Sequence, residues 1–220
     1  KCRICNSDYS SLWYEEELKL GKNLSGQPKE KWVAEEEEKF WSSFTRLLPY
    51  VKRLHFAGGE PLFMDEHYRV LEHLIAIGKN DVNLTYNTNL STLRYKKYYV
   101  TEYWKKFKKV DVWASLDGMN ARGDYQRKGQ KWSEIETNIR VIQADCPKVF
   151  LGVNVTVSIF NLLHVPQFIK HLIENNLVTP DRINLYPLFY PHAFSISNLT
   201  AELKIKAEEE YLVFDESFLT

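Results

Sequence analysis

Hydrophobic residues along the middle of the chain switch repeatedly between two spacings. Stripes at intervals of three and four residues predict helices over 65–77, 94–109, 132–142 and 165–174. Short runs rich in Val, Ile and aromatic residues predict strands over 53–57, 82–87, 110–116, 150–157 and 183–188. Strands and helices that alternate in this way are typical of a parallel sheet with right-handed crossover connections.

Helices are also predicted on either side of this region. One covers 10–20, and a second contains Phe40, Phe44, Leu47, Leu48 and Val51. A turn-rich loop over 21–28 separates them, and the acidic run 35–38 is interpreted as a solvated helix face. Beyond the last strand, a linker rich in Pro, Ser and Asn leads to a predicted helix over 201–213.

The alternating pattern predicts an α/β fold, an open and partial TIM-like barrel in which one more strand would lie ahead of Cys2. Because Lys1 is not an initiator Met, we expect the natural chain to extend upstream. The predicted domains are a core over 1–190 and, over 191–220, a linker and helix that open a C-terminal extension.

Composition excludes few function classes. Hydrophobic residues make up 44% of the chain and charged residues 26%, which is ordinary for a globular protein. Zero net charge gives no reason to expect a nucleic acid or an anionic membrane as partner. No apolar run reaches the ~18 residues of a membrane span, and we expect a cytoplasmic location. Basic and aromatic residues interleave over 94–109, a pattern that can bind nucleic acid, but we interpret it as an outer helix with a buried aromatic stripe.

Two of the three cysteines form the pair Cys2-Arg3-Ile4-Cys5, which suggests metal binding in a reducing compartment. The pair could be half of a zinc site or have no ligand role, and a four-ligand zinc site would need two more thiolates or imidazoles. The third cysteine, Cys146, is interpreted as buried and inert, although a thiol can also donate a hydrogen atom to a radical.

The segment Gly58-Gly59-Glu60-Pro61 follows the first predicted strand. Two glycines at a strand end allow the backbone to approach a ligand closely, and the carboxylate can accept hydrogen bonds from an ammonium group. In a parallel barrel, sites are built at the C-terminal ends of the strands. The alternative is a tight strand-to-helix turn without a ligand.

Together, the cysteine pair and the Gly-Gly-Glu-Pro turn resemble the radical S-adenosylmethionine (SAM) superfamily, whose signature is C-x3-C-x2-C. Cys2 and Cys5 match the second and third cysteines, and the first would lie four residues before Cys2. The resemblance implies a partial (β/α)6 barrel and a [4Fe–4S] cluster with Cys2 and Cys5 as metal ligands. It also implies that the open iron binds the amino and carboxylate groups of SAM, which is cleaved to a 5′-deoxyadenosyl radical.

Further motifs match the family in order. Thr88-Asn89-Leu90 resembles its Thr-Asn-Gly, with Leu90 in place of glycine, and Ser115-Leu116-Asp117-Gly118 resembles its Ser-Leu/Ile-Asp-Gly. The resemblance implies that Ser115 and Arg127 bind the SAM carboxylate and that Ile4, in place of the usual aromatic residue, lies near the adenine. The cofactor-binding residues implied by the resemblance and its strand positions are Ile4, Gly58, Gly59, Glu60, Pro61, Asn89, Ser115, Arg127 and Asn154.

The long insert over 13–48 and the Thr-Asn-Leu variant most resemble radical SAM proteins with a twitch or SPASM C-terminal domain. This implies maturation of a ribosomal peptide by hydrogen-atom abstraction, with flavodoxin or ferredoxin as electron donor. A small-molecule radical SAM dehydrogenase or cofactor-biosynthesis enzyme, and a degenerate barrel that binds zinc or a partner, stay open as alternatives.

Overall fold

The computed structural model describes residues 2–7, 10–22 and 37–218. Most of the predicted loop 21–28 and the start of the acidic run 35–38 lie outside these residues, as does the very end of the chain. The strands are β1 (Arg53–Phe56), β2 (Asn83–Thr88), β3 (Arg94–Tyr95), β4 (Tyr98–Tyr99), β5 (Lys109–Ser115), β6 (Phe150–Val157) and β7 (Ile183–Pro187). The helices are α1 (Ser11–Lys19), α2 (Glu37–Leu47), α3 (Asp65–Ala76), α4 (Val100–Trp104), α5 (Asn120–Gln126), α6 (Trp132–Asp145), α7 (Val165–Glu174) and α8 (Ala201–Phe218).

Five strands form one sheet in the order β1-β2-β5-β6-β7, and each neighbouring pair is parallel. Helices connect the successive strands, as parallel pairing requires. The predicted α/β class with a parallel sheet is therefore confirmed.

The two faces of the sheet differ in polarity. On one face, side chains such as Leu84, Tyr86 and Val112 are fully buried and join a continuous hydrophobic core with the helices. The alternate positions carry half-buried polar residues, among them Asn87 and Asn154. Because side chains alternate along a strand, one face stabilises the fold and the other is available for polar contacts.

The segment 94–109 is not the single helix that was predicted. Its start forms the antiparallel hairpin β3–β4, with Lys96 in the left-handed conformation at φ 52°, and only α4 is helical. Tyr98 stacks on Tyr68 with ring centroids 4.4 Å apart, and Tyr95 stacks on the same ring at 6.1 Å. Aromatic packing against the core thus overrides local helix propensity. The aromatic residues are structural, as interpreted, but in a different element.

The C-terminal helix α8 packs on the core. Ala207 is 5% exposed, and the hydroxyl of Tyr211 donates to the carbonyl of Leu162 at 3.2 Å. Among the described helices, none has the length and apolar composition that crossing a bilayer requires.

Candidate functional site

A cavity of about 700 Å³ opens at the C-terminal ends of β1, β2 and β5. Parallel strands bring their C-terminal ends to one edge, so residues far apart in sequence meet there. The predicted site residues that line the cavity are Cys2, Cys5, Gly58, Gly59, Glu60, Asn89, Ser115 and Arg127. Three predicted residues lie outside this lining: Ile4, Pro61 and Asn154.

The cysteine segment is held against the end of α5. Cys2 forms an isolated antiparallel bridge with Arg127, and the backbone N–H of Arg3 donates to the carbonyl of Gln126 at 2.8 Å. The indole of Trp13 donates to the carbonyl of Cys2 at 2.6 Å. These contacts tie the thiols to a fixed place in the fold.

The two thiols interact with each other. The backbone N–H of Cys5 donates to the carbonyl of Cys2 at 3.3 Å, which closes a tight turn. The hydrogen bond from Cys5 lowers the pKa of Cys2 to about 6, whereas the same bond, together with burial, raises the pKa of Cys5. Paired thiols of this kind suit a soft metal, because the thiolate is the ligand form.

The glycine turn leaves the backbone open toward the cavity. Gly58 and Gly59 have φ values of 81° and 50°, which residues with a side chain rarely adopt. A Cβ added to either would meet no atom within 4 Å. The turn therefore offers a cradle in which a ligand can touch the main chain.

Glu60 joins the end of β1 to the end of β2. Its Oε2 accepts the backbone N–H of Asn89 at 2.7 Å, and its Oε1 accepts the hydroxyl of Thr88 at 2.5 Å and the N–H of Leu62 at 3.3 Å. Burial raises the pKa of Glu60, and these hydrogen bonds oppose the shift. A carboxylate oxygen can accept two hydrogen bonds, so Oε2 retains capacity for a ligand.

In the Thr88-Asn89-Leu90 segment, the backbone at Leu90 adopts a left-handed conformation that favours glycine. Leu90 has a φ of 55° and is fully buried. Its N–H donates to the Thr88 hydroxyl at 3.0 Å, and the Asn89 side-chain oxygen accepts the N–H of Ser91 at 2.8 Å. The Asn89 carboxamide is thus oriented by its own turn at the cavity wall.

Arg127 is paired with a buried carboxylate. Its Nε donates to Oδ2 of Asp117 at 2.8 Å, and Oδ1 of Asp117 accepts the backbone N–H of Thr156 at 3.0 Å. Burial alone would lower the pKa of Arg127, but the charges of Asp117, Cys2 and Cys5 and the hydrogen bond to Asp117 together raise it. The pair fixes a cation at the wall of the cavity that the thiols and Ser115 also line.

The three outlying residues have other contacts. Ile4 is 9% exposed, and Pro61 is buried at the start of the short 3₁₀ turn Pro61–Phe63 that follows the glycine turn. Asn154 lies beside Ser115 in the strand register, and its side-chain oxygen accepts the amide of Asn184 at 3.1 Å.

Sequence reasoning left several lining residues without a role: Asn87, Thr88, Lys128, Gly129 and Gln130. Asn87 could have been inferred, because it lies one residue before the end of β2, on the polar face. The loop 128–130 carries no periodic signal and is placed only by the fold.

The donor set decides which group the site can hold. Within the part of the chain that the structure describes, no cluster of three or more His, Cys, Asp and Glu side chains is placed for a metal ion. The two thiols would supply only two of the four ligands of a structural zinc site. They fit two of the three cysteines in the cluster signature, in which the third thiolate would come from elsewhere. The open glycine turn and the adjacent carboxylate fit a ligand beside that metal.

Similar folds occur among solved structures. SuiB from Streptococcus suis, bound to S-adenosylmethionine, superposes with a TM-score of 0.53 at 15% identity, covering 80% of this chain and 40% of that chain. Native anSMEcpe with bound AdoMet gives 0.57 at 19%, covering 89% and 52%. SuiB bound to the precursor peptide SuiA gives 0.54 at 18%, covering 81% and 38%.

These neighbours are radical SAM enzymes. The chain shares their fold. It spans about half of the length of these structures or less. Comparison of the sequence with protein-family models and with curated proteins gives no match.

Proposed function

We propose that this chain is the core of a radical SAM enzyme that abstracts hydrogen from a substrate. The observation that carries the proposal is the meeting of the thiol pair, the open glycine turn and Glu60 at one cavity of a radical SAM fold. A [4Fe–4S] cluster held there would supply the electron for the reductive cleavage of SAM into methionine and the 5′-deoxyadenosyl radical.

Different residues of the site bind the cluster and the different parts of SAM. Cys2 and Cys5 bind the cluster, and the family signature puts the third thiolate four residues before Cys2. Glu60 accepts a hydrogen bond from the SAM ammonium through Oε2, which has a lone pair to spare. Arg127 and Ser115 bind the carboxylate, and Asp117 keeps Arg127 in place. Gly58 and Gly59 admit the methionine end of SAM beside the main chain.

We further propose a peptide as substrate, modified in a twitch- or SPASM-type enzyme, with flavodoxin or ferredoxin as the reductant. The support is that similar folds have been solved with peptides: SuiB with SuiA, and anSMEcpe with the Kp18Cys peptide. In the same proposal, residues 191–220 open the C-terminal extension.

Anaerobic reconstitution of the full-length protein tests the proposal. We expect the visible absorption of an iron–sulfur cluster and the formation of 5′-deoxyadenosine from SAM under reducing conditions. Cys2→Ala and Cys5→Ala should each abolish both. Cys146→Ala is the matched control, because that thiol is buried far from the site and donates to the Thr101 carbonyl at 3.5 Å. Stoichiometric zinc in place of iron, or full iron content in both variants, would contradict the proposal.

A further inference from the structure

Gln130 is a buried polar residue at the wall of the cavity that holds the two thiols. Its exposed fraction is 6%, and it lines that cavity. Both side-chain atoms, Oε1 and Nε2, are buried and have no hydrogen-bond partner among the described residues. A buried carboxamide with both atoms unpaired is unfavourable, and native proteins rarely keep one without a reason.

Two other glutamines among the described residues, Gln126 and Gln143, have partners. Nε2 of Gln126, one turn earlier, donates to the carbonyl of Asp117 at 3.1 Å, although its Oε1 is also unpaired. Nε2 of Gln143, far from the cavity, donates to the carbonyls of Asn176 and Leu177 at 2.8 and 3.1 Å. Among these three, only Gln130 has both atoms unpaired at the cavity wall.

The loop that carries Gln130 places it on the thiol side of the cavity. Its backbone N–H donates to the carbonyl of Arg127 at 3.0 Å, and Arg127 bridges to Cys2. Gly129, with a φ of 92°, makes the turn between them. Gln130 therefore lies next to Arg127, and both line the cavity that the two thiols also line.

We propose that the Gln130 carboxamide binds the amino-acid end of SAM. A carboxamide carries both a donor and an acceptor, and so does an α-amino acid, whose ammonium donates and whose carboxylate accepts. Nε2 donates to the SAM carboxylate beside Arg127, and Oε1 accepts from the ammonium. Because both atoms are buried in the cavity wall, the carboxamide turns toward the ligand on binding, and both atoms then gain partners. This inference rests on the proposed function.

The test compares SAM with 5′-methylthioadenosine, which lacks the amino-acid end, on the reconstituted full-length holoenzyme. For Gln130→Leu we expect SAM affinity, measured by calorimetry, to fall about tenfold or more. The affinity for 5′-methylthioadenosine should be unchanged. The change that SAM causes in the electron paramagnetic resonance spectrum of the reduced cluster should require correspondingly more SAM.

The stability of the protein without SAM separates binding from a structural role. Because the carboxamide has no partner there, Gln130→Leu should keep or raise the thermal midpoint. Gln143→Leu is the control: it loses two backbone contacts, so its midpoint should fall while SAM affinity stays at the wild-type value.

Two results would overturn the inference while leaving the proposed function intact. One is unchanged SAM affinity in Gln130→Leu, whether or not the thermal midpoint falls. The other is an equal loss of affinity for SAM and for 5′-methylthioadenosine, which would mean that Gln130 recognises the adenosine. If the wild-type holoenzyme binds no SAM, the proposed function and this inference both fail.

Discussion

The carboxylate of Asp117 connects three parts of the site. It holds Arg127 through Oδ2 and the backbone N–H of Thr156, near the end of β6, through Oδ1. The backbone carbonyl of Asp117 accepts the side-chain amides of Gln126 and Asn161. The side chain is fully buried. A single residue thus fixes the cation beside the thiols, although the motif that contains it gave no hint of this role.

We expect Asp117→Asn to destabilise the fold by about 3–5 kcal/mol, because removing one partner leaves the Arg127 charge uncompensated. Urea unfolding of the cluster-free protein measures the loss. Asp111→Asn is the matched control, since its ion pair with Lys109 is long, at 3.7 Å, and lies at the surface; its cost should stay below about 1 kcal/mol. Equal costs for the two variants would refute the role of the buried pair.

The glycine turn allows a second comparison between single residues. Gly59→Ala should cost about 1–2 kcal/mol, because alanine is strained at a positive φ, and its added methyl group would stand in the ligand space. Gly78, at the end of α3, has a φ of 70° and similarly open surroundings. Gly78→Ala should therefore lose similar stability but retain SAM binding, whereas Gly59→Ala should lose both. Calorimetric titration with SAM distinguishes them.

At the level of elements, the spacing of hydrophobic residues predicted the positions of the strands in the five-stranded sheet. Each of the five strands was predicted with ends no more than one residue from those observed. The hairpin β3–β4 was missed because its tyrosines pair with Tyr68, a contact that local spacing cannot reveal. The helix α5 was missed because its sequence has no apolar stripe. The glycine turn was predicted because two adjacent glycines at a strand end are rarely needed for another purpose. Gln130 could not be predicted, because its place at the cavity wall depends on the tertiary fold.

The packing of α3 on β2 makes stability depend on pH through His67. Its Nε2 lies 3.0 Å from the Tyr86 hydroxyl, and burial lowers its pKa to about 3. The unfolded chain, with an ordinary pKa of 6.5, therefore binds more protons between these values. The contribution of His67 to the free energy of unfolding is therefore fully present above pH 6.5. It falls by about 1.4 kcal/mol per pH unit as the pH decreases toward 3.

Replacing His67 by Phe should remove this contribution to the pH dependence, and urea titrations at pH 7 and pH 5 would show it. His192→Phe, a change at an exposed position, serves as the control and should retain the wild-type slope. If His67→Phe keeps the full slope, other groups cause it.

The molecule as a whole has one sheet face closed by helices and the opposite face half-buried and polar. The helix α8 packs against α7 and the 3₁₀ turn Leu162–His164 that precedes it, and Ala207 is buried. A region with few buried apolar contacts opens at low cost, independently of the core.

We expect Ala207→Arg to release α8, because a long charged side chain cannot enter that contact. Limited proteolysis should then cut within 199–218, while thermal unfolding of the rest changes little. The same substitution at exposed Glu208 is the control and should leave the cleavage pattern unchanged. Cooperative loss of the whole fold in Ala207→Arg would show that α8 belongs to the core.

The bridge between Cys2 and Arg127 has a consequence for the order of folding. This bridge joins residues 125 positions apart, and closing so long a loop is slow compared with forming adjacent strand–helix units. During synthesis, the cysteines leave the ribosome long before their docking site on α5 exists. The thiols therefore reach their place beside α5 late, after β5 and α5 have assembled. In the proposed enzyme, cluster insertion would report that the region from β1 to α5 has already folded.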